Sequence, residues 1–321
     1  MMTVPAKPAV LAIAGPTGAG KSALALALAE QLQGDILCAD SMQVYRELRV
    51  GTARPAEGET ARAPHKLYGG KSVFEPYNLA EYLCDAKTAA DQTLTAGRLP
   101  VFCGGTGLYL RSLIEGISLQ PEDSEKRDEL RRELQTIAAE RGGAALRQRL
   151  AERDAAAAER LHEQDIHRLI RALEITELTG QTTDEYHAAT RQPPPYRACL
   201  IVLSFRERKT LYNRIERRAD DMLDKGLIQE ARFLMDNSAN IPTAAQAIGY
   251  KELYSFLRGE TGREEAVQTL KQATRRYAKR QLTWFRTMQQ AYWLYADDYD
   301  SPAAMNAAAL DLWEKHRKET A

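Results

Sequence analysis

The stretch AVLAIAGPTGAGKS, Ala9 to Ser22, decides the fold. Its first half, Ala9 to Ala14, is short and wholly apolar, the composition of a parallel strand covered on both faces. Its second half, Gly15-Pro16-Thr17-Gly18-Ala19-Gly20-Lys21-Ser22, matches G-x-x-x-x-G-K-[ST] and leads into a helix predicted over Lys21 to Gln33. Glycines let successive backbone N–H groups turn toward one anion, and the helix N-terminus adds positive potential. Lys21 supplies a point charge, and the Ser22 hydroxyl can ligate Mg²⁺. The loop therefore predicts a diphosphate or triphosphate ligand without saying which.

Outward from this loop, Asp35 to Asp40 and Leu99 to Cys103 read as further buried strands, and Asn78 to Ala96 as a long amphipathic helix. Strands alternating with helices imply a parallel sheet. From Pro121 to Thr190 the chain is rich in Ala, Glu, Arg and Leu at helical spacing, with no strand pattern. Pro193-Pro194-Pro195 closes that segment as a stiff connector, and Ala198 to Ser204 returns as a strand. After Glu207 the chain is mostly helical, with Ala291 to Ala296 a last strand. The expected class is α/β, a P-loop NTPase-like parallel sheet flanked by helices with an inserted all-helical domain. Its segments are 1–118 and 196–321 for the catalytic core and 119–195 for the insertion.

Lys plus Arg and Asp plus Glu number 44 each in 321 residues, which excludes a uniformly basic nucleic-acid coat but allows a local patch. One such patch lies between Glu265 and Asp297, where no acidic residue interrupts Lys271, Arg275, Arg276, Lys279, Arg280 and Arg286. At helical spacing Lys271, Arg275 and Lys279 share a face, with Arg276 and Arg280 beside it, an arrangement suited to a phosphate backbone. The cysteines, Cys38, Cys84, Cys103 and Cys199, form no CxxC pair, so a disulfide framework or zinc ribbon is not expected and a reducing cytoplasm is. The Val10 to Ala14 run is too short to span a bilayer. His162 and His167 in HEQDIH would stand about 140° apart on a helix, which argues against a shared zinc. His65 is expected to order a loop.

Open α/β sheets bind ligands beyond the carboxyl ends of their strands. Asp40-Ser41-Met42-Gln43 and Gly104-Gly105-Thr106-Gly107 occupy two such ends. From spacing alone Asp40 can be a helix cap, a magnesium carboxylate or a proton acceptor.

GPTGAGKS, DSMQVYR (Asp40 to Arg46), GTARP (Gly51 to Pro55), APHKL (Ala63 to Leu67), GGTGLY (Gly104 to Tyr109), IGY (Ile248 to Tyr250) and KRQLTWFR (Lys279 to Arg286) follow in that order. In order and spacing the sequence resembles the bacterial tRNA dimethylallyltransferases over nearly its whole length. The resemblance implies transfer of a dimethylallyl group from dimethylallyl diphosphate to N6 of adenosine 37, in tRNAs reading codons that begin with U. It assigns Gly15, Pro16, Thr17, Gly18, Ala19, Gly20, Lys21 and Ser22 to the prenyl diphosphate, with Mg²⁺ held through Ser22. Thr106 donates to the bridging region, and Asp40 contacts the exocyclic amine as general base. Arg218, in Arg214-Ile215-Glu216-Arg217-Arg218, sits at the diphosphate, with Arg217 the alternative.

For tRNA the resemblance implies contacts from Asp40, Ser41, Met42, Gln43 and Thr106, from Gln164, Asp165, Ile166, His167 and Arg168, and from Gln246, Ala247, Ile248, Gly249, Tyr250 and Lys251. Tyr250 is equally readable as a packed core aromatic. Arg275, Arg276, Lys279 and Arg280 complete the set. The partners are tRNA and dimethylallyl diphosphate, with no membrane, and the protein is expected to be a cytoplasmic bacterial monomer. The alternatives are an adenylate isopentenyltransferase and a small-molecule P-loop kinase. The long helical insertion and the KRQLTWFR stripe favour a macromolecular acceptor.

Overall fold

The computed structural model describes residues 7–119 and 124–320. Residues 1–6, 120–123 and 321, which fall within the expected segments, lie outside the described residues. The chain divides into two compact units, one built from the stretches before Glu115 and after Pro193, the other from Glu115–Pro193. These limits fall a few residues before the expected 119 and 195.

The first unit contains β1 (Ala9–Ala14), α1 (Lys21–Gln31), β2 (Gly34–Cys38), α2 (Glu57–Thr60), β3 (His65–Lys66), α3 (Leu79–Thr95), β4 (Leu99–Gly104) and α4 (Gly107–Glu115). The chain re-enters it at β5 (Arg197–Ser204) after the helical unit, which holds α5 (Ser124–Ala151), α6 (Ala155–Arg160), α7 (Ile166–Thr179) and α8 (Thr183–Ala189). It then continues through α9 (Arg208–Asp224), α10 (Leu227–Asp236), α11 (Tyr254–Leu257), α12 (Arg263–Phe285), β6 (Ala291–Tyr295) and α13 (Pro302–Glu319).

All six strands run parallel in the order β3-β2-β4-β1-β5-β6. β1 is central, with Leu11 opposite Val101 on one side and Cys199 on the other. Because strand side chains alternate, Val10, Ala12 and Ala14 face one core layer with Phe102 and Val202, while Leu11 and Ile13 face the other with Val101 and Ile201. α1 and α13 cover the second layer through Leu24, Leu28 and Trp313. The strands read from the sequence are all present. β3, with only His65 and Lys66, is too short to carry a periodic signal and falls in the segment read as a loop. His65 Nδ1 is 2.8 Å from the Ala63 carbonyl oxygen, a local turn contact.

α3 begins at a capping box. Asn78 Oδ1 accepts from the Ala80 and Glu81 amides at 2.8 and 3.2 Å, and Glu81 accepts from the Asn78 amide at 2.7 Å.

The helical unit has its own core of Leu134, Leu146, Leu150, Leu169 and Leu173. Gly142, at φ 74°, interrupts α5, so the long helical pattern is two helices end to end. The fully buried Glu174 carboxylate is forked by Arg131 at 2.6 and 3.0 Å and joined by Arg171 at 3.2 Å, so its charge is compensated within the unit.

Candidate active site

The loop after β1 must pass close under β5, and that approach selects Gly15. At φ 142°, a Cβ there would lie 2.2 Å from the Leu203 carbonyl oxygen. Three long-range contacts then fix the loop. Arg214 of α9 donates Nε to the Gly18 carbonyl at 2.9 Å. The buried Gln281 of α12 accepts the Thr17 amide through Oε1 and donates Nε2 to the Gly105 carbonyl, each at 2.9 Å. Within the loop, Lys21 Nζ donates to the Pro16 carbonyl at 2.9 Å. Gln281 lies inside the KRQLTWFR motif, which reads as a basic stripe, so its role in ordering the phosphate loop is invisible to a charge count.

Asp40 follows β2. Its Oδ1 accepts the Met42 amide at 2.9 Å and the Gln43 amide at 3.4 Å, so the cap expected from spacing exists as the cap of a turn. Thr106 supports the same turn from β4, its Oγ1 accepting the Ser41 amide at 2.9 Å and donating to Ser41 Oγ at 3.3 Å. Thr106 thus acts on Ser41 here, a contact the motif alone does not foretell.

α9 brings Arg214, Arg217 and Arg218 to one side at i, i+3 and i+4 spacing. Asp297, just after β6, accepts the Arg206 and Glu207 amides at 2.9 Å each and so holds the start of α9. Of the two arginines considered for the diphosphate, Arg217 is exposed. Arg218 is half-buried and donates Nη2 to the Thr52 carbonyl at 3.3 Å.

The electrostatics follow from burial. Desolvation lowers the Lys21 pKa to about 8, with Cys103 and Asp40 opposing the shift and Arg218 adding to it. Desolvation also lowers the Arg218 pKa, against the pull of Asp40. The same burial raises the Cys103 thiol to about 11, and Ser22 hydrogen-bonds it. Cys103 is therefore a protonated wall residue and not a nucleophile.

These groups line one cavity of about 1060 Å³, just above the usual range for small-molecule sites. Thr17, Gly18, Lys21, Ser22 and Asp40 lie along one part of its wall, and Gln246 to Tyr250 along another. Ser41, Met42 and Gln43 also line it, Gln43 while donating to the Thr52 carbonyl at 2.8 Å. α12 contributes Thr274, Tyr277 and Gln281 to the cavity and presents Arg276, Lys279 and Arg280 to solvent.

Three sequence expectations change. Lys271 and Arg275 are not open cations, because α9 sets Asp220 against Lys271 at 2.7 Å and Glu216 against Arg275. The absence of acids along α12 itself could not reveal carboxylates arriving from another helix. Tyr250 is buried and donates its hydroxyl to Glu230 at 2.9 Å, the core reading of that residue. His162 precedes α7 while His167 lies within it, so the 140° argument for one continuous helix does not apply. In the helical unit, Gln164, His167 and Arg168 are exposed at the start of α7, and Arg168 pairs with Asp165 at 3.3 Å.

Residues 43–288 match the family model described as IPP transferase, and residues 8–68 the one described as isopentenyl transferase. The chain belongs to the IPP transferase family. It is 40% identical over 91% of its length to the tRNA dimethylallyltransferase of Acetivibrio thermocellus, covering 93% of that protein. Among solved structures it resembles the full-length tRNA isopentenylpyrophosphate transferase of Bacillus halodurans, with TM-score 0.70 and 37% identity over 97% of this chain and 99% of that one. It also resembles a eukaryotic dimethylallyltransferase captured acting on tRNA, with TM-score 0.79 and 27% identity over 95% and 78% of the two chains.

For a family member working on a diphosphate, the donor set suits a magnesium ion that keeps much of its shell as water and substrate oxygen. Ser22 supplies a hydroxyl in the cavity wall, and no cluster of three His, Cys, Asp or Glu is found among the described residues.

The depressed Lys21 pKa gives a direct test. Lys21 is protonated below pH 8 and loses its charge as pH rises through that value. Affinity for a simple alkyl diphosphate, itself ionised by about pH 7, should fall up to tenfold per unit above pH 8 by calorimetry. Lys21→Arg should flatten the profile. A flat profile in the parent protein would contradict the assignment.

Proposed function

We propose that this protein transfers the dimethylallyl group of dimethylallyl diphosphate to N6 of adenosine 37 in tRNAs reading codons that begin with U, releasing diphosphate. The observation that carries the reading is the meeting of Lys21, Arg218 and Asp40 in one cavity that also reaches Gln246 to Tyr250. The family resemblance supports the choice of donor and acceptor.

In the reaction N6 attacks C1 of the prenyl group, the allylic C–O bond breaks, and the electron pair leaves on the diphosphate. Charge growing on that oxygen is stabilised by Lys21, Arg218 and the loop amides, which are held in place before the bond breaks. The proton lost by N6 passes to the Asp40 carboxylate. Mg²⁺, held through Ser22, would add charge neutralisation at the leaving group. The Thr106 hydroxyl keeps the Asp40 turn in position through Ser41.

A base inside an anticodon loop must leave its stack to enter such a cavity. Met42, Gln43 and the Gln246–Gly249 segment are suited to surround it, with Arg276, Lys279 and Arg280 on the phosphate backbone and Gln164 to Arg168 on the anticodon stem-loop. The tRNA acceptor agrees with action in the cytoplasm, and among the described residues no helix is long and apolar enough to cross a membrane.

With Mg²⁺ and labelled dimethylallyl diphosphate, label should appear in unmodified tRNA at position 37 and not in parallel AMP or ATP. Asp40→Ala should lower turnover on the order of 10²-fold while tRNA affinity stays within a fewfold. Label confined to AMP or ATP would move the acceptor to a free adenylate. Transfer of a phosphoryl group from ATP would mark a kinase instead.

Charge reversal at Lys279 and Arg280, the exposed cations, should weaken tRNA binding and lower the slope of log affinity against log salt by about 2. Reversal at Arg275, already neutralised by Glu216, should change the slope less. Equal slopes in the parent protein and the Lys279, Arg280 variant would refute the contact.

A further inference from the structure

Glu230, on α10, belongs to none of the sequence motifs, yet it gathers more backbone than any charge on the cavity's loops. Its Oε1 accepts the Arg49 amide at 2.7 Å and the Val50 amide at 2.6 Å, and its Oε2 accepts the Gly51 amide at 3.0 Å. The Tyr250 hydroxyl donates to Oε2 at 2.9 Å. Three successive amides converging on one carboxylate form an anion nest closed by a charge-assisted hydroxyl bond.

The fit is close on its other side as well. A Cβ on Gly51 would lie 2.5 Å from the Tyr250 ring and hydroxyl and 2.7 Å from Leu227, so the turn, Tyr250 and α10 interlock only with glycine at 51. The next residue connects this clamp to the reacting groups. The Thr52 carbonyl accepts from Arg218 Nη2 at 3.3 Å and from Gln43 Nε2 at 2.8 Å.

We propose that Glu230 is a positioning residue, which by clamping Arg49–Gly51 fixes the Thr52 carbonyl that orients the Arg218 guanidinium in the cavity. The turn's own bonds, Ala53 N–H to the Val50 carbonyl and Thr52 Oγ1 to the Leu48 carbonyl at 2.9 Å each, shape it locally, and the Glu230 carboxylate is what ties it to α10. The half-buried Arg218 guanidinium spends Nη2 on the Thr52 carbonyl, and a displaced acceptor would leave that donor unpaired or let the group turn out of the cavity. The consequence is selective. Loss of Glu230 should weaken stabilisation of the leaving diphosphate while leaving the exposed RNA-binding cations untouched. This inference rests on the reading of Arg218 as a diphosphate ligand.

The test is a double-mutant cycle with Glu230→Gln and Arg218→Ala, measuring kcat, the KM for tRNA and the melting temperature. Glu230→Gln should lower kcat about tenfold with the KM for tRNA within about twofold. Added to Arg218→Ala, it should lower kcat by less than about twofold further, because the group it positions is already gone. Should Glu230→Gln fail to fold, Tyr250→Phe removes one donor and keeps the ring against Gly51. Its smaller loss of kcat should likewise vanish beside Arg218→Ala. Equal losses in both backgrounds would overturn the positioning role while Arg218 stays at the diphosphate. Parental kcat in Arg218→Ala alone would overturn the diphosphate reading together with the inference.

Discussion

Two half-buried cations, Lys21 and Arg218, are balanced by the Asp40 carboxylate, and the architecture of this protein is organised around holding them together. Desolvation opposes both positive charges, as their lowered pKa values record. Such groups stay charged and aligned only where surrounding dipoles and hydrogen bonds leave them little choice. A ligand that brings more negative charge than Asp40 alone then gains most from the site, which is the electrostatic demand of a departing diphosphate.

The parallel sheet supplies the frame. With β1 between β4 and β5, the phosphate loop emerges where the carboxyl ends of three strands converge, and Asp40 follows from β2 beyond β4. The helices after β5 complete it from the far end of the sequence. α9 contributes Arg214 and Arg218, and α12 contributes Gln281, which ties the Thr17 amide to the Gly105 carbonyl. Neither half of the sheet unit assembles the site alone. α12 borders the cavity on one face, and its neighbouring face carries exposed basic residues.

Much of this was legible in the sequence because it is local. The apolar run before Gly15, the amphipathic pattern that starts at Asn78 and the apolar strands beside β1 each carry their signal locally. What escaped is what depends on distant partners. Glu216 and Asp220 neutralise Arg275 and Lys271 from α9, and nothing along α12 announces them. Glu230 is about 180 residues from the amides it binds, and an isolated helical glutamate reads as a solvated charge. The site residues named by motif do line the cavity for Lys21, Asp40 and Gln43, whereas Tyr250 faces it mainly through its place in the packing. The motifs mark the loops that line the cavity but not the contacts that hold those loops.

The most direct measurement of the central claim is a crystal structure with a non-cleavable dimethylallyl diphosphate analogue and an anticodon stem-loop. The diphosphate should lie between the Gly15–Ser22 loop and Arg218, with the flipped adenine amine beside Asp40. A diphosphate bound away from Lys21 and Arg218, or an adenine amine out of reach of Asp40, would contradict it.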